Sequence, residues 1–316
     1  MRTVSRVKAG AVRGTQHAVL PAQHVMPSLT VSSPAKINLF LKVLGRRRDG
    51  YHNLLTLFHR VSLADTLRLE RRAKGFKLTC SDPRLSTGED NLITRAWRLL
   101  EKRFPRIGGM RVHLTKKIPV GAGLGGGSSN AAAFLRAANR LCRLGLSPKE
   151  LAVLGRQLGA DVPFFIFNIN QGIGTERGDK IRPRPVRAKW WFLLLISSRG
   201  LSTPKVYQAL PRPLPAVFLT KLSRSVTMTC DFLEAKDLLG LSRQLDNDLE
   251  KAAFRLRPSL RKQIAQLNNM GIPAVRMSGS GPTLFAVFPQ AAPAQKVMRH
   301  LRRVLPSKKI ILCHSF

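Results

Sequence analysis

Acidic side chains are scarce in this chain. Its 316 residues carry 17 Asp and Glu against 54 Lys and Arg, a formal charge of +37, and nine basic residues precede the first acid, Asp49. A surplus of that size is what a polyanion binder shows, because neutralising phosphates with Lys and Arg drives non-specific association with nucleic acid. Aromatic residues are also few, at 6%, and the basic residues are spread along the chain. There is therefore no stacking platform of the kind single-strand binders use, and a general bias toward basic surfaces accounts for the charge more simply than a dedicated nucleic-acid function. The four cysteines, Cys80, Cys142, Cys230 and Cys313, are far apart with no CxxC pair. That argues against a zinc site and a disulfide framework and points to a reducing cytoplasm. No apolar run approaches the roughly 20 residues needed to cross a bilayer; the longest, Trp190 to Ile196, reads as one buried strand. The histidines form no ligand-spaced set, so no permanent metal site is predicted. What is abundant is apolar residues, 44% of the chain, which excludes a disordered tail or a collagen-like fibre. The length allows one large domain or two of ordinary size.

Residues 1 to 30 carry Arg2, Arg6, Lys8 and Arg13 among small and polar residues, with neither strand alternation nor an apolar stripe. They are expected to be a poorly ordered extension, either transit-like or the product of a start assigned ahead of Met26. From Ser33 the pattern changes. Ala35 to Leu44 is a strand-like run broken at Asp49-Gly50, a turn signal, and runs at Leu54 to Leu63, Thr66 to Leu69, Phe76 to Cys80 and Met110 to Leu114 predict further strands. Asp90 is placed as the N-cap of a helix in which Leu92, Ala96, Leu99 and Leu100 share one face. Ser128 to Leu144 is Ala-rich and helical in period, and Ser147-Pro148-Lys149-Glu150 spells a capping box whose helix Gly159 closes. The second half reads as a strand (190–197), several helices, a strand (273–277), a glycine-serine turn, a strand (283–288), a helix (294–304) and a last strand (309–313). The two element types mix without strict βαβ alternation. The class is therefore α+β, with two domains, 31–178 and 179–316.

The strongest chemical signal is Pro119 to Asn130, PVGAGLGGGSSN. Its glycines at 121, 123, 125, 126 and 127 remove the Cβ atoms that would keep a bulky anion from the main chain, and they permit positive φ. The helix predicted from Ser128 then offers unpaired N–H groups and the positive end of its dipole. Polyphosphate is the ligand such a loop suits, since a merely flexible loop seldom runs straight into an Ala-rich helix. Gly121-x-Gly123-x-x-Gly126 matches the dinucleotide fingerprint, yet the next acid is Glu150 and none stands where the ribose contact is needed. A Walker A loop would end in Gly-Lys-Ser/Thr, where this one has Gly127-Ser128-Ser129. The VAIK, HRD and DFG signatures of protein kinases are absent.

With those loops set aside, the chain resembles the GHMP kinase superfamily. The resemblance is carried by Ser33-Pro34-Ala35-Lys36-Ile37-Asn38-Leu39-Phe40-Leu41, Arg48-Asp49-Gly50-Tyr51-His52, the glycine loop, Asp90-Asn91-Leu92-Ile93, Gly159-Ala160-Asp161-Val162-Pro163-Phe164, Asn247-Asp248-Leu249-Glu250 and Ser278-Gly279-Ser280-Gly281-Pro282. These segments span about residues 32 to 315 in the family's order. Val120, Ala122 and Ser278 stand where relatives often have Met, Gly and Thr, conservative exchanges that leave the site intact. The first strand and the RxDGYH turn resemble in particular the branch acting on a cytidine-diphosphate-linked methylerythritol. The resemblance implies a two-domain fold, with an N-terminal ATP-binding domain and a C-terminal ferredoxin-like substrate domain. It also implies ATP-dependent phosphorylation of a tertiary hydroxyl on the way to isoprenoid precursors, with Mg²⁺ arriving with the ATP. The alternatives are another small-molecule kinase of the superfamily, or a basic nucleic-acid binder on the same scaffold that has lost catalysis.

Phosphoryl transfer needs the acceptor oxygen in line with the γ-phosphorus, a carboxylate that takes or orients its proton, and cations to hold developing charge. The resemblance gives Asp161 the carboxylate role; taken alone, an Asp at such a boundary is more often a helix or turn cap. Lys36 interrupts an apolar strand, and burying an ammonium is costly unless an anion meets it. The bland reading is an edge lysine reaching solvent; the resemblance places it beside Asp161 and the acceptor hydroxyl. Asn38 lies on the same face by the two-residue strand period and is expected at the substrate. Nucleotide binding is assigned to Pro119, Val120, Gly121, Ala122, Gly123, Leu124, Gly125, Gly126, Gly127, Ser128 and Ser129, with Asn91 and Lys116 at the border and Ser129 helping to position Mg²⁺. Ser278 to Gly281 is expected to approach from the other domain. The resemblance assigns cytosine recognition to Tyr51 and His52, with Tyr207 as stacking partner and Thr203 as a polar contact.

Overall fold

The computed structural model describes residues 27–210 and 219–316; most of the expected extension, with His17 and His24, lies outside the described residues. The architecture grows from one long hairpin. Strands β1 (Ser28–Arg46) and β2 (His52–Arg72) pair along their whole length. The turn between them follows from Arg47-Arg48-Asp49-Gly50: Gly50 adopts φ 84°, while the Asp49 carboxylate accepts the Tyr51 N–H at 3.1 Å and the Arg47 Nε–H at 3.1 Å, an Asx-type closure. The two runs expected at 54–63 and 66–69 are thus one strand. The register slips between Pro34 and Ala35, opposite Val61 and Ala64, because Pro34 has no N–H to give the ladder, and the strand bulges there instead of ending. β1 begins at Ser28, inside the stretch set aside as an extension.

β3 (Phe76–Cys80) runs parallel to β4 (Gly109–Thr115), which pairs with Thr66–Arg72 of β2. β5 (Gln171–Glu176) pairs with Leu54–His59 of β2 and carries β6 (Lys180–Pro183). The chain therefore crosses to its second sheet after Pro183, slightly beyond the expected break at Gly178. Four helices cover one face: α1 (Leu92–Arg103), α2 (Gly126–Leu141), α3 (Pro148–Leu158) and α4 (Val162–Ile166). Their core includes Trp97, Leu100, Phe134 and Phe164 against Phe58, Leu67 and Leu69 of β2. The N-cap of α1 is Asn91, whose side chain accepts from Ile93 N at 2.9 Å, and not Asp90, which accepts from the Ser86 hydroxyl instead. α2 starts at Gly126, two residues before the expected Ser128. The capping box at Ser147 and Glu150 is present as predicted.

The second sheet has the order β11-β7-β10-β9, all antiparallel, with β7 at Trp191–Ile196, β9 at Arg276–Met277, β10 at Leu284–Phe288 and β11 at Lys309–His314. Helices α5 (Thr203–Gln208), α6 (Leu219–Glu234), α7 (Leu238–Gln244), α8 (Leu249–Leu256) and α9 (Pro258–Asn269) separate β7 from β9, and α10 (Ala291–Val304) separates β10 from β11. This is the helix-interleaved pattern of a ferredoxin-like sheet. β7 is apolar on both faces because both are covered. Phe192 and Leu194 pack with Ile37, Leu39 and Leu57 of the hairpin, whereas Leu193 and Leu195 pack with Leu249, Leu260 and Leu301. A two-residue strand, β8 (Asp246–Asn247), returns to pair in parallel with β1. The two sheets thus share a core, and a cleft of about 1160 Å³ opens between them. Among the described residues, no helix is long and apolar enough to cross a membrane.

Candidate active site

Lys36 is central. It lies in the buried middle of β1, where its own N–H donates to Leu124 O at 3.0 Å and so fixes the strand against the glycine loop. Its ammonium is buried yet fully met: Asn38 Oδ1 accepts at 2.7 Å, Asp161 Oδ2 stands at 3.3 Å and Gly123 O at 3.4 Å. The solvent-reaching alternative for this lysine is excluded. Asn38 is held in turn, since its Nδ2 donates to Thr56 Oγ1 at 2.8 Å and that hydroxyl donates to Phe40 O at 2.8 Å. The chain from main chain to Thr56 to Asn38 fixes the ammonium, as a catalytic cation requires if it is to avoid reorganisation.

Asp161 occupies the residue before α4, but its side chain makes no capping bond. The carboxylate is 31% exposed on the cleft wall, with Lys36 as its ion-pair partner. The bland reading of this Asp as a helix cap therefore fails. Turning from Gly159, the chain delivers it: Val162 N bonds to Gly159 O at 3.2 Å.

The glycine loop lines the same cleft from Pro119 to Ser128. Gly125 is the N-cap of α2 at φ 68°, with no side-chain cap, which leaves the first-turn N–H groups facing outward, as anion binding at a helix start needs. A side chain would be crowded at Gly125 and at Gly126, and at Gly125 strained by φ as well. A Cβ on Gly125 would sit 3.0 Å from Lys36 Cγ, and one on Gly126 would sit 3.1 Å from Lys116 Nζ. The loop fits a polyphosphate on these grounds. Ser129 departs from expectation. It is buried, donating to Pro34 O at 2.7 Å and accepting from Ser33 at 2.8 Å, because α2 begins early and turns that position inward. Ser128 is the hydroxyl on the cleft wall.

Asn91 and Lys116 also line the cleft. Lys116 is held by Asp65, a fully buried acid that no sequence signal singled out. Asp65 accepts from Lys116 Nζ at 2.5 Å, from Lys117 N and Ile118 N at 2.6 and 2.8 Å, and from Asn130 Nδ2 at 2.9 Å. One carboxylate thus ties the entry of the glycine loop to its helix.

The Ser278–Gly281 turn closes the site from the second sheet, as expected. Ser278 Oγ donates to Gly123 O at 3.0 Å, and a Cβ on Gly279 would lie 3.2 Å from Lys36 Nζ. Further along the cleft stand Tyr51, His52, Thr203 and Tyr207. His52 and Tyr207 stack on each other at 5.2 Å, and Thr203 Oγ1 lies 2.7 Å from Ser280 Oγ. Burial, reinforced by the nearby Asp161 carboxylate, pushes the Tyr207 phenol up, so it stays a neutral hydroxyl. Burial, then the Arg46 charge, pushes the His52 imidazole down, which favours its neutral form. Arg177, missed in the sequence, reaches the same wall. Among the described residues no group of three or more His, Cys, Asp or Glu could hold a metal ion.

This arrangement offers a triphosphate cradle, a carboxylate–ammonium pair beside it and an aromatic patch within one cleft. Family models of the GHMP kinases N-terminal domain match residues 91–168, and of the GHMP kinases C-terminal domain residues 230–307. The chain is 38% identical over 286 residues to the 4-diphosphocytidyl-2-C-methyl-D-erythritol kinase of Moorella thermoacetica, covering 89% of this chain and 97% of that protein. It is 35% identical over 295 residues to the enzyme of the same name from Gloeothece citriformis, covering 88% and 92%. A crystal structure of 4-(cytidine 5'-diphospho)-2C-methyl-D-erythritol kinase superposes with a TM-score of 0.75 at 32% identity, covering 91% of this chain and 100% of that one.

Proposed function

Because the chain belongs to the 4-diphosphocytidyl-2-C-methyl-D-erythritol kinases of the GHMP kinase family, we propose that its cleft transfers the γ-phosphoryl group of ATP to the 2-hydroxyl of 4-diphosphocytidyl-2-C-methyl-D-erythritol, giving the 2-phosphate and ADP. The observation that carries the reading is the 3.3 Å contact of Lys36 Nζ with Asp161 Oδ2 on a cleft wall shared with the glycine loop.

Asp161 takes the proton of the acceptor hydroxyl as its oxygen bonds to phosphorus. The Lys36 ammonium, fixed by Asn38, stabilises the charge that develops between acceptor and phosphoryl oxygens. Main-chain N–H groups from Gly121 to Ser128 hold the triphosphate, with Lys116 beside them and Asn91 at the border. Mg²⁺ would enter with the nucleotide and neutralise phosphate charge; the Ser128 hydroxyl, at the first turn of α2, and the Asp161 carboxylate are oxygen donors on the cleft wall that would hold it. At the far end, Tyr51, His52 and Tyr207 form the surface for cytosine. Their rings supply stacking area, and a neutral imidazole can both donate to and accept from the base edge.

The test is ADP release coupled to a spectroscopic readout, with 4-diphosphocytidyl-2-C-methyl-D-erythritol as acceptor. Asp161→Ala should lower kcat by roughly 10²- to 10⁴-fold while the KM for ATP stays within a few-fold. A variant turning over near the wild-type rate would remove Asp161 from this role. Equal use of methylerythritol lacking the cytidine diphosphate would point to a different kinase of the same family.

A further inference from the structure

Arg177 sits in the turn between β5 and β6, outside every motif that pointed to the site. Its guanidinium lies over the Tyr51 ring, 5.0 Å from the centroid, and its Nη2 donates to Asp179 Oδ2 at 2.8 Å. Asp179 is buried, so the guanidinium is anchored from behind. The turn is built for this reach: Glu176 takes φ 56° and Gly178 φ 92°, a double left-handed step that projects the side chain between them into the cleft. Tyr51 is the most exposed aromatic of the base patch, at 54%. Its main chain is tied by Asp49, but among the described residues no other partner holds its ring.

A ring that must stack on a pyrimidine binds better when it is already in place, because ordering it on binding costs affinity. A planar cation on one face of that ring supplies the order and leaves the rest of the ring to the ligand. Resting on the base-recognition reading above, we propose that Asp179 and Arg177 form a buttress that positions Tyr51 for the cytidine of the substrate. Arg177 is thereby a specificity-determining positioning residue of this kinase. It acts on the base end of the cleft and not on phosphoryl transfer.

The experiment measures kcat and both KM values for Arg177→Met, Arg177→Lys and Tyr51→Ala. Arg177→Met should raise the KM for the cytidine substrate about three- to thirty-fold, the range of a cation–π contact, with kcat and the KM for ATP within about two-fold. Arg177→Lys should recover only part of the loss, since a lysine keeps the charge without the planar stack. Adding Arg177→Met to Tyr51→Ala should change nothing further. Since Arg177→Met leaves the Asp179 carboxylate, among the described residues, with only Arg156 at 3.8 Å, the double variant Arg177→Met/Asp179→Asn guards against misfolding and should show the same KM effect. If Tyr51→Ala raises the substrate KM and the Arg177 variants do not, the buttress is refuted while the base patch stands. If neither moves it, both readings fall. An additive effect of the two substitutions would also overturn the coupling.

Discussion

Gly123→Ala is the substitution that most directly tests how the two domains meet. Gly123 has φ 75°, and a Cβ there would lie 2.3 Å from Ser278 O and 2.9 Å from both Gly281 N and Gly281 O. Ordinary contact begins near 3.4 Å, so the two glycine turns must part by about 1 Å. Left-handed backbone costs an alanine about 1 to 2 kcal/mol. Parting the turns also strains the Ser278 Oγ bond to Gly123 O and the Thr283 N–H contact to Ala122 O at 3.4 Å, each worth about 0.5 to 1.5 kcal/mol. The expected loss of stability is about 2 to 5 kcal/mol. Because Gly123 O also touches Lys36 Nζ, the Lys36 ammonium shifts with the loop; on the proposed mechanism a misplacement of about 1 Å costs on the order of 10²-fold in kcat. Gly121→Ala is the control: its φ is 65°, but its Cβ would meet only Gly200 Cα at 3.6 Å, leaving backbone strain alone. Urea unfolding and steady-state ADP release on both variants separate the terms. If Gly123→Ala loses no more stability than Gly121→Ala and keeps its turnover, the interlock of the two turns is wrong.

Lys36→Met keeps the buried stem and removes the charge, so kcat at saturating substrates should fall at least 10²-fold, as for loss of a fixed transition-state partner; a fall of less than tenfold would deny the ammonium its role. Asp65→Asn leaves one oxygen for the Lys117 and Ile118 N–H groups but removes the negative charge that pairs Lys116 and puts an amide NH2 against the Lys116 ammonium and Asn130 Nδ2. Breaking a buried pair costs about 3 to 5 kcal/mol, so its unfolding midpoint should drop sharply, its KM for ATP should rise, and Lys116→Met in the same chain should restore part of the stability. His59 is fully buried, and among the described residues neither ring nitrogen has a hydrogen-bond partner; burial, then the Arg60 charge, pushes its imidazole down to about 4 from 6.5. The unfolded chain therefore takes up the proton first as pH falls, so stability present above about pH 6.5 is lost toward pH 4, about 2 kcal/mol of it by pH 5. His59→Leu should lose that much less between pH 7.5 and pH 5 in urea unfolding, and an identical pH dependence in the two proteins would show that His59 is not the group responsible.

Local chemistry was legible in the sequence where the partners are neighbours. The Ser147 capping box and the Asp49-Gly50 turn depend on residues a few positions apart, and each took the expected form; the glycine loop takes positive φ at 121, 123 and 125, but its helix begins two residues earlier than its sequence suggested. The Asp90-Asn91 pair shows the limit: both residues are good caps, and what selects Asn91 is that its Nδ2 also reaches Ser86 O at 2.7 Å while Ser86 occupies Asp90. β2 was divided because its middle is polar, and only its pairing with the Pro34 bulge reveals one strand. Lys36 and Asp161 were joined by the family pattern and not by physics, since nothing in a strand lysine announces a carboxylate 125 residues later. Asp65 and Arg177 had no signal at all. Their meaning lies in Lys116, 51 positions from Asp65, and in Tyr51, 126 positions from Arg177, and neither pairing leaves a periodicity to read.

The segment Asp246 to Asp248 explains why the two sheets behave as one unit at the site. Its short ladder places Asn247 beside Leu41 in the first sheet, and Lys42 binds both flanking acids, Asp246 at 2.5 Å and Asp248 at 2.8 Å. From that anchored position Asn247 Nδ2 donates to Met277 O at 2.7 Å and to Gly279 O at 2.8 Å, while its Oδ1 accepts from Leu249 N at 3.0 Å. Every polar atom of one buried side chain is thus committed to joining β8, α8 and the second glycine turn. Gly279, so placed at φ 56°, bounds the Lys36 ammonium, and a Cβ there would crowd Asn38 Oδ1 at 3.1 Å and Lys36 Nζ at 3.2 Å. Docking of the domains and placement of the Lys36 ammonium are consequently the same event, and a kinase that must exclude water while it aligns a hydroxyl with a triphosphate gains by making them inseparable.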